Sequence, residues 1–304
     1  MSHEFSRRGL LAGVLAVPAA PRTRRIVFIA DRPSHGFGQH EANAGCLLLA
    51  RCLRAVPGIE TAVSRNGWPS DAGVLAGAAS VVLFTNGGPG HPAAPHLDEL
   101  EPLMRAGVGL AALHWGVGVE KGRPADSFLA WLGGYYETYW SVNPFWTACF
   151  ASLPAHPVTR GVKPFALYDE WYYHMRFRPG MEGVTPLLTA VPPDSTRNGP
   201  DGPHSGNPAV RARKGMPEHV AWAFERPSGG RGFGFTGGHY HWAWGVDGFR
   251  QVVLNGICWT AGIEIPAGGI SAPAPGFPEL LENQDKPVPA DFTREQAEAA
   301  IRPR

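Results

Sequence analysis

The clearest fold signal in this chain is the segment VGLAALHWG, residues 108–116. Its first six residues are apolar or glycine, which is typical of a strand buried on both faces of a parallel sheet. His114 follows at the point where this strand should end. The segment therefore has the form of a strand-to-helix elbow, which exposes one side chain at the sheet edge beside backbone N–H groups.

Strand-like and helix-like segments alternate around this elbow. Strands are predicted at residues 26–30, 59–63, 80–85, 165–177, 185–191, 219–225 and 232–236, and helices at 40–55, 96–106 and 247–260. This spacing indicates a parallel sheet with helices on both faces. Residues 134–150 are aromatic and punctuated by glycine and proline. The predicted fold class is α/β, a three-layer sandwich with a mostly parallel central sheet and an aromatic β-rich insertion.

Composition limits the classes of protein that this chain can belong to. Its 304 residues are 44% hydrophobic and carry a net charge of +1, which suits one large globular domain. No basic stripe stands out, so nucleic acid is not an expected partner. The four cysteines form no CxxC pair, which disfavours a cysteine zinc site. We expect all four to be buried thiols, with Cys149 and Cys258 able to pair.

The N-terminus has the pattern of an export signal. Residues 6–11, SRRGLL, contain a twin arginine and lead into a short apolar stretch. That stretch is too short to span a bilayer, and residues 1–20 are predicted to be a twin-arginine signal peptide that is removed. The expected location is therefore periplasmic or extracytoplasmic, without stable membrane insertion. At the other end, residues 265–304 are rich in proline and glycine and then charged, which predicts a loosely packed surface tail.

Histidines follow three of the predicted strands. In chain order they are His35 and His40, next to Glu41, then His114, and finally His239 and His241. The carboxyl ends of parallel strands lie at one edge of a sheet, where ligands bind. We therefore expect these loops to form one pocket, in which a histidine can exchange protons near neutral pH. At the elbow, a neutral His114 could act as a base or as a hydrogen-bond donor to a carbonyl.

Two further segments are candidates for the same pocket. Residues 86–90, NGGPG, form either a simple turn or a hydroxyl- or anion-binding turn with free backbone donors. Residues 168–173, YDEWYY, place two carboxylates among aromatic side chains. Burial would raise a carboxyl pKa and suit Glu170 to general acid catalysis.

Together these motifs resemble the ThuA-like family, named for trehalose utilisation, whose fold is of the flavodoxin or class I glutamine amidotransferase kind. The resemblance covers residues 24–264 and consists of His35 to Glu41, Asn86 to Gly88, Leu113 to Trp115, Asp169 to Tyr172 and Gly237 to His239. It implies sugar catabolism, particularly of 3-keto-glycosides. The chain has no cysteine or serine beside His114, so a thiol-dependent glutaminase is not expected.

The leading hypothesis is an exported lyase, isomerase or hydrolase that acts on keto-sugars by acid–base chemistry, with a small carbohydrate as its partner. His114 is the expected base or carbonyl polariser and Glu170 the acid, and His239 could exchange roles with His114. The expected substrate-binding residues are His35, His40, Glu41, Asn86, Gly87, Gly88, Trp115, Asp169, Tyr172 and His241.

Two other functions remain open at this point. One is a non-catalytic carbohydrate-binding protein. The other is a metal-dependent hydrolase with histidine ligands. The leading hypothesis needs no cofactor. The metal alternative takes its ligands from the histidines and carboxylates listed above, first of all from His35, His40, His239 and His241.

Overall fold

A computed structural model describes residues 23–304. This range contains eleven strands, and seven of them form one central sheet. The strands are β1 (Arg24–Ala30), β2 (Ile59–Ser64), β3 (Ala78–Phe84), β4 (Gly109–Leu113), β5 (Gly134–Tyr135), β6 (Phe145–Phe150), β7 (Phe165–Glu170), β8 (Arg176–Phe177), β9 (Val184–Ala190), β10 (Glu218–Glu225) and β11 (Arg231–Phe235). The central sheet has the order β2-β1-β3-β4-β11-β10-β9. Its neighbours pair in parallel from β2 to β11, whereas β10 is antiparallel to both of its neighbours.

Helices cover both faces of this sheet. The α-helices are α1 (Ala42–Arg54), α2 (Leu97–Arg105), α3 (Arg123–Trp131), α4 (Pro208–Arg211), α5 (Asp247–Thr260), α6 (Phe277–Leu280) and α7 (Arg294–Ile301). Helices α1 and α5 pack on one face, and α2 and α3 pack on the other. Side chains of β4 alternate between the two cores, with Ala111 and Leu113 on the α1 side and Leu110 and Ala112 on the α2 side. The predicted three-layer α/β sandwich is confirmed.

The aromatic insertion lies between α3 and β9 and holds two small antiparallel sheets. In one of them β5 pairs with β8, and in the other β6 pairs with β7. Strand β7 ends at Glu170, which is buried. The insertion therefore brings a carboxylate to the central sheet.

The C-terminal segment is packed into the protein, so the expectation of a loose tail was wrong. Helix α7 buries Ala297 and Ile301, which are four residues apart on one helical face. Before it, the ring of Phe292 lies 4.9 Å from that of Phe37 and 4.8 Å from that of Trp242. A few apolar residues at helical spacing are enough to fix a segment whose composition is mostly polar.

Three of the four cysteines are buried as expected, and all four are free. Cys149 is exposed, because its side chain lies on the outer side of β6, so the expectation of burial was wrong for this residue. Residues 23–304 contain no helix long and apolar enough to cross a membrane. The predicted signal peptide, residues 1–20, lies outside the described residues.

Gly109 begins β4 at a point where the sheet contacts α5 closely. A Cβ atom at this position would overlap the backbone carbonyl of Thr260. We expect Gly109→Ala to lower the free energy of unfolding by about 1–3 kcal/mol or more, because backbone atoms cannot move aside as a side chain can. Urea unfolding measures this loss. Gly90→Ala is the matched control, since a Cβ there meets nothing within 4 Å, and an equal loss in both variants would contradict the prediction.

His91 makes stability depend on pH. Its Nε2 lies 3.1 Å from the carbonyl of Gly116 and its Nδ1 accepts the N–H of Ala93, so the buried ring is neutral. Burial lowers the pKa of His91 from 6.5 to about 4, which corresponds to roughly 3 kcal/mol. Because the folded pKa is depressed, this stability is present above pH 6.5 and is lost as the pH falls toward 4. Unfolding midpoints of wild type and His91→Gln at pH 7, 5.5 and 4 test this, and parallel pH profiles would contradict it.

Candidate active site

Four buried side chains meet at the carboxyl edge of the central sheet. His40 lies in the loop after β1, His114 directly after β4, Glu170 at the end of β7, and His239 in the loop after β11. One nitrogen from each imidazole and one carboxylate oxygen all lie within 4.8 Å of one another. The structure thus brings together residues up to 199 positions apart in the chain.

The separations between these atoms are those of ligands around a metal ion. His40 Nε2 lies 3.1 Å from both His114 Nε2 and His239 Nδ1. Glu170 Oε2 lies 3.0 Å from His239 Nδ1, 3.4 Å from His114 Nε2 and 3.6 Å from His40 Nε2. For a tetrahedral ion with bonds of about 2.05 Å, two ligand atoms are about 3.3 Å apart. Three nitrogens at such separations cannot all form good hydrogen bonds with one another, whereas they can share one cation.

Groups outside the cluster hold two of its members in place. The Nδ1 of His114 donates to the Thr236 carbonyl at 2.8 Å, which leaves its Nε2 with a free lone pair. Asn143 Nδ2 donates to Glu170 Oε1 at 2.9 Å, which leaves Oε2 for the cluster. Such outer contacts are typical of built metal sites, because they set the tautomer and orientation of each ligand.

Glu170 is an ionised carboxylate in this arrangement. Burial opposes ionisation, but the surrounding imidazoles of His114, His239 and His40 outweigh it and hold the pKa of Glu170 well below its ordinary value. An ionised carboxylate has no proton to donate, so the geometry argues against the general acid role expected from the sequence. It suits a metal ligand instead.

The turn at His114 differs from the predicted elbow. His114 is fully buried, not exposed, and residues 114–117 form a 3₁₀ turn, not the start of a long helix. Both His114, with φ of 52°, and His40, with φ of 48°, have left-handed backbones. For residues other than glycine this conformation costs about 1–3 kcal/mol and is concentrated at functional sites. Two strained residues in one cluster therefore favour a functional role for it.

Aromatic rings border the cluster. The ring of His35, half-buried, stacks on that of His40 at 3.6 Å, and Trp115 meets both rings edge-on at about 6 Å. Tyr172 Oη lies 3.1 Å from His114 Nε2. The exposed ring of Phe145 lies 4.8 Å from that of His239. Three of the residues predicted to bind substrate, His35, Trp115 and Tyr172, therefore do lie at the cluster.

Two predicted carboxylates have structural roles instead. Glu41 accepts the N–H groups of Gly38 at 2.9 Å and Asp285 at 2.7 Å, and burial raises its pKa to about 7. Asp169 is fully buried and accepts three backbone N–H groups. Both carboxylates thus hold backbone segments in place, and binding of a substrate by them stays a prediction.

His241 is not part of the cluster. A 3₁₀ helix begins at His241, so the chain does not stay extended and His239 and His241 do not share one side. The His241 ring is buried, neither of its nitrogens has a hydrogen-bond partner among residues 23–304, and burial lowers its pKa to about 3. Of the four histidines in the predicted metal set, His40 and His239 therefore belong to the cluster, whereas His35 lies against it and His241 lies outside.

The turn after β3 packs against Trp115 at the edge of the site. The Gly88 N–H donates to the Gly118 carbonyl, and a Cβ on Gly87 would overlap Trp115. Asn86 accepts a hydrogen bond from Ser34 Oγ at 2.6 Å. Gly87 thus makes room for Trp115, and substrate binding by Gly87 and Gly88 stays a prediction.

Sequence reasoning missed two residues that complete the site. They are Asn143, which orients Glu170, and Thr236, whose carbonyl orients His114. Thr236 follows a predicted strand and could have been found by its position. Asn143 lies in the insertion, and nothing in its surroundings signals a role.

Comparison with known proteins identifies the family of this chain. A family model described as ThuA, trehalose utilisation, matches residues 27–260. The chain belongs to the ThuA family. No curated protein matches it.

Solved structures show the same fold. A ThuA-like protein from Bacteroides uniformis ATCC 8492 has 16% sequence identity and a TM-score of 0.53, and the match covers 82% of this chain and 95% of that one. A ThuA-like protein from Parabacteroides merdae ATCC 43184 has 17% identity and the same TM-score, with 83% and 98% covered.

Proposed function

We propose that this ThuA protein is a metal-dependent enzyme of carbohydrate metabolism that acts on keto-sugars. The observation that supports the metal centre is the convergence of His40, His114, His239 and Glu170 within 4.8 Å. The family description, trehalose utilisation, supports the carbohydrate.

The donor atoms favour a first-row transition ion or zinc. Three imidazole nitrogens and one carboxylate oxygen suit Zn²⁺ or Fe²⁺, whereas Mg²⁺ and Ca²⁺ prefer oxygen ligands throughout. Glu170 contributes one negative charge, so a divalent ion would leave the centre cationic. This differs from the leading sequence hypothesis, in which no cofactor takes part.

The chemistry that a divalent ion supplies here is polarisation of a sugar carbonyl, which makes the neighbouring C–H acidic. His35 is the nearest histidine outside the ligand set, and it is half-buried against His40. It is the candidate base for that proton. In a 3-keto-glycoside the C–H electron pair would then form a C=C bond, the bond from the anomeric carbon to the glycosidic oxygen would break, and the leaving oxygen would take up a proton.

Metal analysis of the purified protein tests the centre. We expect about one divalent ion per chain, turnover of 3-keto-disaccharides but not of unoxidised ones, and loss of turnover after chelation with recovery when the metal is returned. His219→Ala is the matched control, because this histidine lies on β10 and pairs with Thr189. A metal-free protein with full turnover would overturn the metal proposal, and a metal-bound protein without turnover on any keto-sugar would overturn the enzymatic one.

We also propose that the protein is exported, on the pattern SRRGLL at residues 6–11. N-terminal sequencing of protein secreted by a native-like host should find a start near residue 21. A start at Met1 or Ser2 would contradict export with cleavage.

A further inference from the structure

A cavity of about 580 Å³ lies at the same edge of the sheet as the histidine cluster. Asp31 and Arg32 after β1, Asn66 to Trp68 after β2, and Asn86 after β3 line it. The chain passes from β1 to β2 on one side and then to β3 on the other side of β1, so the order of strand connection reverses between β1 and β3. Ligands of open α/β sheets bind in the crevice at this point, and the volume is within the range of about 300–1,000 Å³ for ligand pockets.

Short contacts connect this cavity to the histidine cluster. Asn86 Oδ1 accepts from Ser34 Oγ at 2.6 Å, and Ser34 Oγ lies 2.8 Å from His35 Nδ1. The ring of His35 in turn stacks at 3.6 Å on that of His40. The side chains of Ser34 and His35 therefore lie between the cluster and the cavity, and the two sites are adjacent.

The lining of the cavity combines a fixed aromatic ring with exposed polar side chains. Trp68 donates from Nε1 to Glu99 at 3.1 Å and stacks on His96 with 4.6 Å between ring centroids, so the half-buried indole is held in one orientation. Three prolines between residues 89 and 95 add apolar surface. The Arg32 side chain is 78% exposed, and Asn66 is also exposed. A sugar ring needs this combination, because it has apolar C–H faces and a polar rim of hydroxyls.

We infer that this cavity is the subsite for the second ring of a two-ring glycoside whose first ring occupies the cluster. The inference rests on the proposed function for the position of the first ring. The Trp68 indole would pack against one face of the second ring, and Arg32 and Asn66 would hydrogen-bond its hydroxyls.

Calorimetric titration of the full chain with trehalose and with glucose, each unoxidised and singly oxidised to the keto-sugar, tests this subsite. For wild type we expect tighter binding of the two-ring sugar. In Trp68→Ala and in Arg32→Ala, the ratio of trehalose affinity to glucose affinity should fall at least about tenfold. Trp68→Phe, which keeps a ring, should lose less. Arg54→Ala, an exposed arginine at the end of α1, is the control and should keep the wild-type ratio.

Several results would overturn the subsite. One is a wild-type protein that binds trehalose no more tightly than glucose. Another is a variant that loses equal affinity for both sugars, so that the ratio of trehalose affinity to glucose affinity does not change in a folded protein. If Trp68→Ala fails to fold, Arg32→Ala decides, because its side chain is largely in solvent. Metal content measured on the same samples separates the two proposals. If the purified proteins contain no metal but the affinity ratio still falls in the Trp68 and Arg32 variants, only the metal centre is overturned. If they contain metal but the ratio does not change in these variants, only the subsite is overturned.

Discussion

If the histidine cluster binds a metal ion as proposed, His114→Ala should no longer bind it. The turnover of this variant should fall at least about 100-fold. Mutation of a residue that only hydrogen-bonds a metal ligand already lowers metal affinity about 10–100-fold, and loss of a direct ligand should lower it further. The variant should also lose about 1–3 kcal/mol of stability, because the buried carbonyl of Thr236 no longer receives the 2.8 Å hydrogen bond from Nδ1. Metal analysis, turnover and urea unfolding measure the three effects.

His114→Gln separates the ligand role from the structural one. The glutamine amide can still donate to Thr236, so stability should largely return, whereas metal and turnover should not. His219→Ala serves as control again and should retain both metal and turnover. If His114→Gln kept most of the turnover without metal, His114 would only orient a carbonyl, and the metal proposal would be wrong.

Asp169→Asn should weaken metal binding about 10–100-fold although Asp169 touches no ligand atom of the cluster. Its carboxylate accepts the N–H groups of Gly238 at 2.7 Å, Glu170 at 2.9 Å and Tyr240 at 3.3 Å. It therefore joins the end of β7 to the loop after β11, and so sets the distance between Glu170 and His239. Asparagine replaces an acceptor oxygen by a donor NH₂ group, which leaves buried N–H groups unpaired.

The expected stability cost of Asp169→Asn is about 1–3 kcal/mol for each buried group left without a partner. Metal affinity by competition with a chelator and unfolding midpoints measure the two effects together. Asp98→Asn is the control, because Asp98 is exposed and pairs only with Arg123 at the surface. Wild-type metal affinity in Asp169→Asn would show that the carboxylate does not position the ligands.

The sequence by itself determined the layers of the fold and the edge at which the site forms. The short apolar run at residues 108–113 is typical of a strand buried on both faces, and the alternation with amphipathic helices follows from burying those faces. Because parallel strands end at one edge, His40, His114 and His239 could be predicted to lie near one another from their positions after strands. The resemblance to the ThuA family, now shown by the family model, rested on the same residues.

The tertiary structure alone decided which side chains share one point and what each does there. His40 and His114 converge through left-handed backbones, and His241 is excluded by a 3₁₀ turn. None of these conformations has a signal in residue type, since each is imposed by packing of distant segments. Glu170 is ionised because three histidines surround it, although its aromatic neighbours in sequence suggested a raised pKa. The charge of Glu170 depends on contacts of a few ångström between side chains from distant parts of the chain, such as His40 and His239, which are 199 positions apart. Local sequence patterns do not encode such contacts.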